Sequence, residues 1–256
     1  MTRRHFSFLP SLPPSATQPA TPESVGKARL RTSSGRRQLC LMLAFSLCCG
    51  TAWASKDART HAPKDWWINL DNDRAAAVAS DLRAGADPNL RNAEGMPSIM
   101  YAVRKNAWNA FDLLAAAPTL NLEARNRWDE NVLMYAALMG QTGRVEQLIR
   151  RGAEVNKLGW TALHYAAAGG HVDTVDLLLT EGAIVNAPAP DGTSPLMMAA
   201  QANSKPAVEH LLQAGAHLQQ QTADGRTAMD FAQSKGHTRL AAELRELMAR
   251  QAVQAR

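Results

Sequence analysis

The sequence predicts an all-α solenoid of about six stacked helix-turn-helix repeats, with short β-hairpin fingers between them. Three observations predict it: a period close to 33 residues, helical spacing of apolar residues within each period, and a Gly-Ala pair near the end of most periods. With 256 residues, 46% of them apolar, the chain is long enough for a substantial core. One unit of this size cannot bury its apolar face alone, so the units have to stack.

The period is visible in the spacing of the unit starts, which is 33, 34, 30, 33 and 33 residues. The starts are Lys64, Pro97, Asn131, Thr161, Ser194 and Thr227. They predict a repeat domain over 64–256, with repeats near 64–96, 97–130, 131–160, 161–193, 194–226 and 227–256. The third unit is three residues short between Asn156 and Thr161, so we expect a notch there in the row of fingers.

The unit at 161–186 shows why helices are expected. Apolar residues at i, i+3 and i+4 mark its first helix, at Leu163, Ala166 and Ala167, and its second, at Val175, Leu178 and Leu179. Alanine allows neighbouring helices to approach closely. Gly182 follows the second helix, where a left-handed residue often ends a helix and glycine adopts that conformation easily.

The segment TALHYAAAGGHVDTVDLLLTEGAIVN at 161–186 resembles the ankyrin repeat, with its pattern T-P-L-H-x-A-A, G-H, V-x-x-L-L and G-A-x-x-N. The resemblance covers about 64–256 and is weakest in the two outermost units, which cap such a stack. It implies a non-catalytic module that binds a partner protein in a concave groove formed by finger tips and first helices. Resemblance to small exported ankyrin-repeat proteins also implies a bacterial source.

Mapping that groove onto this chain gives the candidate partner-binding residues. They are Arg104, Lys105, Leu138, Met139 and Gln201 on the first helices, and Arg125, Arg127, Trp128, Lys157 and Leu158 in the fingers. Trp128 takes the turn position held by Asp191 and Asp224 in other units, so we expect it to be exposed. The alternative is that its ring packs over the shortened third finger. Trp160, just before a repeat start, is expected to support the finger or the core.

No catalytic, phosphate-binding or dinucleotide motif occurs in the chain. His164, His171 and His237 take the histidine positions of the repeat pattern, so we interpret them as structural, not as metal ligands. We therefore expect no enzyme activity, cofactor or metal. The alternative function is that of an inhibitor or immunity protein that occludes a periplasmic enzyme or toxin.

The N-terminal region has the composition of an export leader. Residues 1–30 are rich in Pro, Ser, Thr and Ala and are predicted to be disordered. Residues 31–54 combine arginines, a short apolar run and Ala52-Trp53-Ala54, which predicts a signal peptide cut near Ala54 and a linker over 55–63. The alternative is a retained membrane anchor, but about 11 apolar residues span roughly 16 Å of a hydrocarbon core near 30 Å.

Removal of this leader changes the charge. The full chain has a net charge of +5, but residues 1–54 hold seven of the basic residues and one acidic residue, which leaves 21 basic and 22 acidic groups. All three cysteines, at positions 40, 48 and 49, also lie in the leader. We expect a periplasmic or otherwise secreted monomer with a protein partner, no nucleic-acid binding and no stable membrane anchor.

Overall fold

The helical spacing of apolar residues produces helices along the whole repeat region. The computed structural model describes residues 62–254, which form six consecutive pairs of helices and confirm the predicted all-α solenoid. The first three pairs are α1 (Trp66–Asp71) and α2 (Ala75–Arg83), α3 (Ser98–Arg104) and α4 (Trp108–Ala116), α5 (Val132–Leu138) and α6 (Thr142–Arg150). The next three are α7 (Ala162–Gly169) and α8 (Val172–Thr180), α9 (Pro195–Gln201) and α10 (Lys205–Gln213), α11 (Ala228–Ser234) and α12 (Thr238–Gln254).

The predicted N-terminal extension, the signal peptide with its cut near Ala54, and nearly all of the linker lie outside the described residues. Within residues 62–254, none of the twelve helices is long and apolar enough to cross a lipid bilayer.

The odd-numbered, inner helices stack on one another through alanine. From α3 to α11, each inner helix packs on the next. The alanines on these faces are fully buried: Ala102, Ala136, Ala137, Ala166, Ala167, Ala199, Ala200 and Ala232. The even-numbered, outer helices contribute the larger apolar side chains, including the fully buried Leu114, Leu148, Leu178 and Leu211. Small residues inside and leucines outside let helices this short share one continuous core.

Polar side chains fix where the inner helices begin. The Asn131 side chain accepts a hydrogen bond from the Met134 amide at 3.2 Å, and Ser194 Oγ accepts one from the Met197 amide at 3.4 Å. Such caps satisfy amides that have no partner within the first turn of a helix.

The fingers between repeats are tight turns rather than paired strands. Four of them are closed by one backbone hydrogen bond across four residues, and among the described residues the only β-bridge joins Arg91 to Pro97. The β-hairpins are therefore shorter than expected. No such bond forms within the shortened third finger, 156–161.

Gly182 ends α8 in the left-handed conformation, with φ of +82°, and nothing lies within 4 Å of the place a Cβ would occupy. Any penalty for a side chain here therefore comes from the backbone, not from a clash.

We predict that Gly182→Val lowers the free energy of unfolding by about 1 kcal/mol or more, because a β-branched residue is strained at positive φ. Urea titration followed by circular dichroism measures it. Gly143→Val is the matched control: Gly143 lies in α6, has equal space and lacks a left-handed φ. Equal stability of the two variants would contradict the assignment of the penalty to φ.

Candidate functional site

The structure places the ten predicted contact residues in two groups at opposite ends of the inner helices. The fingers precede the helix N-termini and carry Arg125, Arg127, Trp128, Lys157 and Leu158. The other group lies at the C-terminal ends and comprises Arg104, Lys105, Leu138, Met139 and Gln201. Inner helices of six to eight residues separate the groups by roughly 10 Å.

At the helix-end group, both cations are already paired. Arg104 Nη1 lies 3.2 Å from Glu94 Oε2 in the first finger, and Lys105 Nζ lies 2.7 Å from Asp71 Oδ1. The Tyr101 hydroxyl donates to the same Asp71 oxygen at 2.7 Å. Burial alone would raise the pKa of Asp71, but the bonds from Lys105 and Tyr101 outweigh it and hold the pKa below its usual value. Neither cation is free for a partner without giving up a carboxylate.

The other helix-end residues help to join repeats. The Leu138 carbonyl accepts a hydrogen bond from His171 Nε2 at 2.9 Å, and the Gln201 carbonyl accepts one from His237 Nε2 at 3.0 Å. The side chains of Leu138, Met139 and Gln201 are half-buried. This end of the inner helices therefore offers a partly apolar surface.

The second finger exposes Trp128, as expected from its turn position. Its side chain is 54% exposed, and the Arg127 guanidinium carbon lies 4.0 Å from the ring centroid. The Trp128 amide donates to Asn126 Oδ1 at 2.9 Å, which fixes the backbone beneath the ring. Arginine stacked on an aromatic ring gains a cation–π interaction while the edge of its guanidinium stays open.

Asp129, which sequence reasoning missed, organises the surroundings of Trp128. It has a φ of +64°, at the position where the other fingers have Gly95, Gly159, Gly192 and Gly225 with φ between +77° and +85°. Its carboxylate accepts hydrogen bonds from Arg125 Nη1 at 2.8 Å and Lys157 Nζ at 2.7 Å. Burial alone would raise the pKa of Asp129, but these two bonds outweigh it and lower the pKa. The missing glycine in this finger was the signal that could have identified Asp129.

The bond to Asp129 also changes the interpretation of Lys157. We predicted Lys157 as a partner contact, but its side chain is only 6% exposed and is held against the second finger. It supports that finger and is not a free cation.

Leu158, the neighbour of Lys157 in the third finger, is 95% exposed. We call the set Arg91, Arg125, Arg127, Trp128 and Leu158 the finger patch.

A buried polar cluster anchors the finger patch to the stack. Glu130 is 6% exposed and accepts hydrogen bonds from the Tyr165 hydroxyl and from Asn126 Nδ2, the latter at 2.7 Å. Burial and the nearby Glu130 both raise the pKa values of Tyr135 and Tyr165, so these hydroxyls remain protonated. The cluster ties the second finger to α5 and α7. Sequence reasoning missed it, although both tyrosines lie four residues after a repeat start.

The three histidines of the repeat pattern have structural partners. His164 Nδ1 accepts a hydrogen bond from the Thr161 amide at 3.2 Å, and Nε2 donates to the Thr193 carbonyl at 3.1 Å. The half-buried Trp160 packs edge-on against the His164 ring at 5.2 Å, which is the supporting position expected for it. Burial lowers the pKa of His164 to about 4. No group of three metal-ligating side chains occurs between residues 62 and 254.

Comparison with known proteins agrees with this geometry. A family model described as "Ankyrin repeats (3 copies)" matches residues 99–189, 133–222 and 185–254. The chain belongs to the ankyrin-repeat family. Such repeats are generally non-catalytic, and they indicate a protein–protein interaction module.

Similar segments occur in much larger proteins. The chain is 35% identical over 113 residues to neurogenic locus notch homolog protein 1 of Homo sapiens, and 36% identical over 113 residues to homolog protein 2 of the same species. It is 34% identical to homolog protein 1 of Xenopus laevis. The matches cover 43% of this chain but only 4% to 5% of those proteins. They support the repeat and do not extend to the activity of the whole proteins.

The buried His164 predicts a loss of stability in acid. The unfolded chain takes up a proton below the ordinary pKa of 6.5, whereas the folded chain does so only near 4, so stability falls as the pH falls through this window. Between about pH 7 and pH 5 we expect this group to lower the free energy of unfolding of the native chain by about 2 kcal/mol. His164→Gln lacks the group, so its free energy of unfolding should fall by about 2 kcal/mol less over the same range.

Urea titrations at several pH values measure this difference. His217→Gln, at an exposed histidine, is the control and should follow the native profile. If His164→Gln had the same pH slope as the native chain, the buried neutral histidine would not be the cause.

Proposed function

We propose that this chain binds a partner protein through the finger patch and the C-terminal ends of the inner helices, and that it does so in an extracytoplasmic compartment. The observation that carries the proposal is the exposed Trp128 with Arg127 stacked on it. Both residues lie on the second finger, which the buried Glu130 cluster holds to the stack. Trp and Arg are the residue types that most often dominate the energy of protein interfaces.

The rigidity of the second finger supports binding. Asn126 and Glu130 hold it to Tyr165 in the next repeat, and Lys157 bonds it to the third finger. A surface that is already ordered loses little conformational entropy when a partner arrives. The half-buried Leu138 and Met139 add apolar area at the far ends of the inner helices.

The partner is to be found by crosslinking in the native compartment and mass spectrometry, and its affinity measured by calorimetry with purified proteins. We expect Trp128→Ala, Arg127→Ala and Met139→Ala each to weaken binding, with losses of about 2 kcal/mol at Trp128 and Arg127. Helical circular dichroism should stay unchanged, since Trp128 and Arg127 are exposed.

Ile184→Ala and Arg239→Ala are the matched controls, because both side chains are exposed and lie outside the finger patch. We expect native affinity from both. Native affinity in the Trp128 and Arg127 variants would remove the finger patch from the proposal, and the absence of any crosslinked protein would remove the proposed function.

The leader-like composition of residues 31–54 supports the proposed extracytoplasmic location. N-terminal sequencing of exported protein should begin at Ser55, and a charged substitution such as Ala54→Lys should block the cut. A chain that still begins at Met1 and stays in the cytosolic fraction would overturn this part of the proposal.

A further inference from the structure

We infer that the finger patch recognises an acidic segment of the partner that also carries a large apolar side chain. This rests on the proposed function and names the chemistry of the partner. Arg127 and Trp128 form the primary contact, Arg125 and Arg91 flank it, and Leu158 extends its apolar part.

The unpaired charges of the patch are positive. Among the described residues, neither Arg127 nor Arg91 has a carboxylate within ion-pair distance. Arg91 instead donates from Nη1 to the carbonyls of Gly95 at 2.7 Å and Arg125 at 2.6 Å. Four nearby acidic groups already have hydrogen-bond or ion-pair partners. Glu94 pairs with Arg104, Asp129 binds Arg125 and Lys157, Glu123 accepts from Asn131 Nδ2 and the Glu154 amide, and Glu130 is buried in its own cluster.

Arg127 is oriented to receive a carboxylate. Its guanidinium stacks on Trp128 at 4.0 Å and makes no hydrogen bond to another described residue. A stacked guanidinium keeps its planar edge of N–H donors free, and that edge matches the two oxygens of an Asp or Glu side chain. The stack restricts the arginine before binding, which lowers the entropy lost on forming the pair.

Asp129 positions Arg125, one of the arginines of the finger patch. Asp129 adopts a left-handed φ where the other four fingers have glycine, and aspartate tolerates this conformation better than most residues with a side chain. Asp129 holds the Arg125 side chain on the same finger through a bond of 2.8 Å. Its carboxylate also reduces the positive potential that an acidic partner would meet.

The exposed apolar surface favours a peptide over other anions. Trp128 is 54% and Leu158 is 95% exposed, and the Lys157–Asp129 bond brings their two fingers together. Nucleic acids and anionic membranes are bound by stripes or clusters of many cations, whereas two unpaired arginines beside two apolar side chains match a short peptide.

The test uses fluorescein-labelled peptides of about twelve residues, with one central Leu-Trp pair flanked by Glu, by Gln or by Lys, and anisotropy titrations up to about 1 mM. We expect the Glu peptide to bind at least about tenfold more tightly than the Gln peptide and the Lys peptide not to bind. Equal binding of the three, or none by the Glu peptide, would overturn the inference.

Variants assign the effect to residues. Arg127→Ala should remove the preference for Glu over Gln, and Arg127→Lys should not restore it, because an ammonium group lacks the planar fork. Trp128→Ala should weaken both the Glu and the Gln peptide and also lower the preference for Glu, because the ring that orients Arg127 is lost. Arg239→Ala, an exposed arginine on α12, should bind like the native chain. An unchanged Glu preference in Arg127→Ala would refute the role of the stack.

Two further measurements separate this inference from the proposed function. If heparin or anionic phosphatidylserine vesicles compete with the Glu peptide as well as unlabelled Glu peptide does, the site is a general anion site and the inference fails. If a photocrosslinker at position 158 captures the native partner through a segment without Asp or Glu, the acidic segment is wrong while protein binding stands. Capture through an acidic segment supports both.

Discussion

The close contact between successive inner helices is the constraint on which the rest of this structure depends. Helices of six to eight residues are too short to be stable alone, so their stability has to come from neighbouring repeats. The fully buried alanines of α5, α7 and α9 permit that approach, and the leucines of the outer helices complete the core. Because the stack uses these faces, the fingers remain free to differ between repeats. The binding surface can therefore change without loss of the core.

Hydrogen bonds between neighbouring repeats also help to position the fingers. An asparagine near the end of a repeat accepts a hydrogen bond from a backbone amide of the next: Asn89 from Asn121 at 2.7 Å, Asn156 from Ile184 at 2.9 Å and Asn186 from His217 at 2.7 Å. His164 donates to the carbonyl of Thr193, in the finger at the end of its own repeat. These bonds hold the ends of three repeats against the repeats that follow, which keeps the neighbouring fingers ordered before a partner arrives.

The second finger departs from the others at three consecutive residues. Trp128 replaces a turn carboxylate, Asp129 replaces a glycine, and Glu130 is a buried acid. An exposed ring does not stabilise the fold, and departures of this kind are expected at functional sites. The exposure of Trp128 was predictable because it depends only on a turn position. The Glu130 cluster was not, because Tyr165 is 35 positions away in the sequence.

The sequence alone determined the repeat period, the helix pairs, the shortened third finger and the left-handed Gly182, because these depend on local spacing and local backbone conformation. It also identified the ten candidate contact residues, but not which of them are available. Only the tertiary structure decided that Arg104 and Lys105 are paired, that Lys157 is buried against Asp129, and that Arg127 stacks on Trp128. Two of these contacts, Lys105–Asp71 and Lys157–Asp129, join residues that stacking brings together. Their geometry follows from the distance and angle between neighbouring units, which no single repeat encodes by itself.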